Sequence, residues 1–140
     1  MSVPSPEQIG LVQRWWQYAT EDLQAAELLM QNNPEVPRHI CAFAQQSAEK
    51  ALKTALVLEQ IDFPKTHDLD LLKNLLPDSW GVKHNYPQLG ILTDWFVVSR
   101  YPILRENLTE ANAREAIELA RGIWQSILQD LLTRQIPLEV

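Results

Sequence analysis

Nine prolines divide this chain, and the stretches between them repeat their apolar residues every three or four positions, the period of one face of a helix. A proline inside a helix removes a hydrogen bond and clashes with the preceding turn, so helices end near it or begin at it. Ser5-Pro6-Glu7-Gln8 reads as a helix start, with a capping hydroxyl, a first-turn proline and a Gln placed to reach back to Ser5. From there Leu11, Trp15, Tyr18, Ala19, Leu23, Ala26, Leu29 and Met30 recur in register up to Asn32-Asn33-Pro34. A second helix follows Pro37, with a face rich in small residues (Ala44, Ser47, Ala48, Ala51, Ala55) that lets a neighbour approach closely. Leu69, Leu72, Leu75 and Leu76 form a short third helix between Phe63-Pro64 and Pro77.

Ser79 to Pro87 has no sustained period and reads as a loop of variable conformation. Leu89, Leu92, Trp95, Phe96 and Ser99 make a fourth helix closed at Tyr101-Pro102. Thr109-Glu110 caps a long last helix through Ala113, Ile117, Ala120, Ile123, Ile127 and Leu131, ending near Pro137. The strand template fails nearly everywhere. VLEQIDF and WFVV hold β-formers close together, but inside stronger helical patterns. The expectation is an all-α protein, an antiparallel up-and-down bundle of about five helices, in a single domain spanning residues 1–140.

The net charge of −6 argues against broad nucleic-acid binding, so a polynucleotide would have to be gripped locally. Cys41 is the one cysteine. It allows no disulfide framework and suits a reducing, cytoplasmic setting. No signal peptide and no run of about 18 apolar residues is visible, so no membrane partner is expected. His39, His67 and His84 stand far apart with no metal spacing, and the four scattered glycines make no phosphate loop. No metal and no cofactor are expected.

Three constellations remain, each with a structural and a functional reading. In FPKTHDL, Thr66 or Asp68 can cap the third helix with His67 as a neighbour over the cap. Alternatively His67, between Lys65 and Asp68, is a group titrating near neutral pH that binds a phosphate or moves a proton. In QQSAEKALK, Glu49 and Lys53 stand four apart in the favourable order with Lys50 between them. The plain reading is a solvated helix face; the functional one is a basic edge for phosphate. In SRYPILR, Arg100 and Arg105 bracket a proline turn, and Arg100 with Tyr101 is either a nucleotide grip or a contact to helix-end carbonyls or an internal carboxylate. Five tryptophans exceed what a small core needs. Trp15 and Trp16 lie about 100° apart on a helix, which places at least one at an edge as a protein contact unless both flank one broad stripe.

The order of these elements, ATEDLQAAELLM, CAFAQQSAEKALKTALVLEQ, FPKTHDLDLL, SRYP and TEANAREAIELA, resembles the HEPN (higher eukaryotes and prokaryotes nucleotide-binding) family over Trp15 to Leu132. It looks like the small prokaryotic stand-alone type. The resemblance implies a homodimer, commonly encoded beside a minimal nucleotidyltransferase with which it forms a toxin–antitoxin pair. It also gives weight to Glu49, Lys50, Lys53, His67, Asp68, Arg100 and Tyr101 as ligand-binding positions. RNA-cutting members carry an Arg followed roughly four to six residues later by a His that serves the cleavage chemistry. Here no His follows Arg100. The expectation is a non-catalytic nucleotide- or phosphate-binding module with a groove of Lys53, His67 and Arg100. The alternatives are a pure interaction partner of the nucleotidyltransferase and a divergent metal-independent ribonuclease using His67 with Arg100.

Overall fold

The computed structural model describes residues 3–102 and 107–138. Its helices run α1 (Pro6–Asn32), α2 (Pro37–Leu58), α3 (Leu69–Leu75), α4 (Val82–Asn85), α5 (Gly90–Arg100) and α6 (Glu110–Thr133). No strand occurs among the described residues. None of these helices is long and apolar enough to cross a membrane.

Helix ends follow local chemistry. Ser5 Oγ accepts from Gln8 N at 3.1 Å, and Pro6 begins α1 where its missing N–H costs nothing. The Gln8 side chain does not reach back to Ser5 as expected. It donates instead to the carbonyls of Val57 and Leu58, which at the end of α2 have no partner within their own helix. Thr109 and Asn112 form a capping box at α6.

Helix α2 is the centre of the bundle, packed against α1, α6, α5 and α3. Its alanines let these neighbours close in, and 13 of its 22 residues are buried, so it is the one long helix covered on most sides. Cys41 sits fully buried on it, and burial pushes the thiol up to about 12, which leaves it unreactive. Among the described residues no buried side-chain polar atom lacks a hydrogen-bond partner.

One expectation is corrected. Ser79 to Pro87 is no variable loop, for it contains the single turn α4, and Trp80 and Val82 are fully buried. Its anchors come from distant helices. Asp130 of α6 accepts from Gly81 N at 2.9 Å, Arg134 lies 4.0 Å over the Trp80 ring, and Trp80 Nε1 donates to Glu59 Oε1. The buried Lys73 closes the far end by donating to the carbonyls of Tyr86 and Pro87.

The tryptophans divide: Trp16 and Trp80 are buried, while Trp15, Trp95 and Trp124 are half-buried at the edge of the core. Trp16 stacks on Trp124 of α6 at 5.0 Å, while Trp15 meets the edge of Phe63 at 6.3 Å. Trp124 Nε1 donates to Thr20 Oγ1. The two adjacent rings of α1 thus serve opposite neighbours, and no tryptophan is among the exposed large apolar side chains.

Candidate functional site

Glu49 faces a solvated surface in the plain sequence reading. It is instead 4% exposed, enclosed by Lys53, His67, Gln45 and Gln46, while Trp15 and Phe63 roof Lys53, whose Nζ lies 5.8 and 5.4 Å from their ring centres. Glu49 Oε2 accepts from Lys53 Nζ at 2.9 Å. Its Oε1 lies 2.7 Å from His67 Nδ1 and also accepts from Gln45 and Gln46. Burial by itself drives the Glu49 carboxyl up, but the hydrogen bonds and charges of Lys53 and His67 outweigh it and hold the group below the ordinary carboxylate range.

KTHDL divides its labour. Asp68 is the cap of α3, accepting from Leu71 N, and Thr66 Oγ1 accepts from Asp68 N. His67 points away from the cap and is held from three directions. Its carbonyl accepts from Gln45 Nε2 at 2.9 Å, its Nδ1 meets Glu49, and its ring rests against Phe96 of α5 at 4.8 Å. The side chain is nevertheless 57% exposed. With Nδ1–H donated to a carboxylate, Nε2 is the polar atom left for another partner.

Phe96 links this cluster to α5. The Arg100 guanidinium, one turn further along the helix, lies 5.4 Å over the same ring. His67 and Arg100 therefore share one aromatic base. Arg100 does not serve the carbonyls at the end of α5. Arg38 of α2 does so instead, donating from Nη1 to Ser99 O at 2.8 Å. Tyr101 is the exposed residue that terminates α5. Arg105 lies outside the described residues.

Of the seven positions singled out, Glu49, Lys53 and His67 form one cluster, and Arg100 joins it through Phe96. Lys50 does not: it follows Glu49 by one residue, about 100° around the helix, which turns it to α1, where it pairs with Asp22 at 2.6 Å. A continuous basic edge of Lys50 and Lys53 is absent, each lysine being matched by a carboxylate. Sequence reasoning missed Phe96, Gln45 and Arg38. The first two stand four residues from Arg100 and Glu49, the spacing at which helix side chains meet, and that signal was available. Nothing local marks Arg38. Among the described residues no three His, Cys, Asp or Glu side chains gather as metal ligands would.

The site thus sits on a central small-residue helix flanked by long partners, with a buried acid behind an exposed imidazole. The HEPN domain model matches residues 12–131, and the chain belongs to that family. Among solved structures it is similar to the crystal structure of TT1696 from Thermus thermophilus, at 24% identity and a TM-score of 0.72, over 84% of this chain and 96% of that one. That likeness shows the shared fold. No curated protein matches.

Proposed function

We propose that this chain is a binding module for a nucleotide or another phosphate-bearing group, held on the face formed by His67, Phe96 and Arg100. The observation that carries this reading is the common base: an imidazole and a guanidinium rest on one ring. Arg supplies bidentate donors to a phosphate, and His67 Nε2 supplies one more when protonated. Lys53 acts behind them by balancing Glu49, not by touching ligand. Titration calorimetry with a panel of mono-, di- and triphosphate nucleotides tests it. Binding weakened about tenfold or more in both His67→Ala and Arg100→Ala is expected, and no heat above dilution for any nucleotide refutes it.

The wider reading follows the family. Two copies pair through α5, and the pair works with a minimal nucleotidyltransferase in a toxin–antitoxin-like system in the cytoplasm. Support for the pairing comes from α5 itself, which buries Leu92 and Phe96 inward while exposing Ile91 and Val97 outward. A helix apolar on both faces is normally covered on both. Sedimentation of the wild type as a dimer, and of Ile91→Glu/Val97→Glu as a monomer, is the expected result.

One specific observation favours a second reading, a metal-independent ribonuclease. A buried carboxylate on Nδ1 is the arrangement that orients a histidine as a general base. Incubation of RNA with chelator separates the two. Cleavage lost in His67→Ala would establish the enzyme, and intact RNA would leave the binding module.

A further inference from the structure

A groove of about 750 Å³ runs between α1 and α6, floored by Trp16, Leu23 and Trp124. It lies apart from the His67 cluster, and the volume is in the range of about 300–1,000 Å³ typical of ligand sites. One end already shows what the groove accepts. The chain leaves α6 and turns back over α1, where Gln13 Nε2 donates to the Pro137 carbonyl at 2.6 Å and Leu138 forms part of the groove lining. An amide side chain takes a main-chain carbonyl, and an apolar side chain lies beside the aromatic floor.

The same chemistry continues beyond the tail. Gln24 and Gln125 line the groove further along, each able to donate to a carbonyl and accept from an N–H. From Gln13 to Glu27, both lining it, α1 rises about 21 Å, the length of roughly six extended residues. Charge argues against a polyanion. Arg14 and Arg121 in the lining are matched by Glu21 and Glu27, and Arg121 pairs directly with Glu27 at 3.0 Å, whereas phosphate backbones need an uncompensated positive track.

From these we infer that the α1/α6 groove binds an extended peptide segment of a partner protein, reading its main chain through Gln24 and Gln125 and seating a Pro-Leu-type apolar pair on the Trp124 side of the floor. The test uses the full chain and two blocked hexapeptides. One carries the sequence of residues 133–138, Thr-Arg-Gln-Ile-Pro-Leu; the other replaces its Pro and Leu by Ser. Backbone resonances of α1 and α6 and tryptophan emission are followed during titration, with a uridine hexanucleotide as the competing class. The first peptide is expected to shift resonances around Gln24 and Gln125, and the second to bind at least about tenfold more weakly. In Gln24→Ala/Gln125→Ala, with unchanged melting, affinity for the first should fall about threefold or more. Four results overturn the inference: no shift with either peptide at millimolar concentration, equal binding of both, shifts confined to Gln13 and Leu138 that signal exchange with the chain's own tail, or binding of the oligonucleotide in the groove.

Discussion

Helix α2 carries two clusters that look alike on paper and differ in how they end. Around Glu59 at its C-terminal end, Arg134 lies between the Trp80 ring and the carboxylates of Glu59 and Asp130, and the tryptophan N–H goes to Glu59. Around Glu49 in its middle, Lys53 lies under Phe63 and Trp15, and the last member, His67, is 57% exposed with one nitrogen committed. The first cluster closes on itself and fastens a connection. The second stops at solvent with a titratable group at its edge. A buried acid therefore marks a candidate site only when the chain of partners leading from it reaches the surface unfinished.

The sharpest way to break this contrast is to remove the centre of each cluster. Trp80→Ala empties a fully buried position and is expected to cost about 3–5 kcal/mol in urea unfolding, with the His67 face still intact in the folded fraction. Glu49→Gln leaves Lys53 without its counter-charge under an aromatic roof and should cost about 3 kcal/mol, while also removing the negative charge behind the imidazole. Equal loss of ligand binding in the two variants would dissolve the distinction.

A third change works on the closed side alone. A Cβ built on Gly122 of α6 would overlap the Tyr86 hydroxyl, so Gly122→Ala must push Tyr86 out of its place. A loss of about 1–3 kcal/mol is expected by thermal unfolding, and it should vanish in a Tyr86→Ala background. The smallest effect is in pH. Because the Glu49 carboxyl is held below its ordinary value of 4.5, its stabilising share is complete above that value and fades as pH falls through the lowered one. Acid unfolding of Glu49→Gln should lack this component, and parallel wild-type and variant curves below that pH would contradict the assignment.

The helices were legible because their signals are local. Ser5-Pro6, Pro37, Asp68, Pro102 and Thr109 act within a turn of themselves, and each marks an observed boundary. Trp80 and Val82 were not legible, since what orders them is Asp130 and Arg134 on α6 and just past its end, about fifty residues later in the chain. The candidate site fell between these cases. The order of motifs pointed to His67 and Arg100, yet Glu49 and Lys53 at helical spacing look the same on a wet face and a dry one. What decides is tertiary: His67 closes over Glu49, and Trp15 of α1 with Phe63 covers Lys53. Lys50 shows the opposite limit, a residue adjacent in sequence to Glu49 that tertiary packing assigns to Asp22.

The three-way grip on His67 has a consequence for recognition. Ordering a mobile side chain at an interface costs roughly 0.5–1.5 kcal/mol, and a surface histidine ordinarily loses that freedom only when its partner arrives. Glu49 and Phe96 remove it during folding, on a main chain that Gln45 anchors. Whatever meets Nε2 encounters an imidazole already stationary, so a single contact there is worth more than the same contact to a wandering ring.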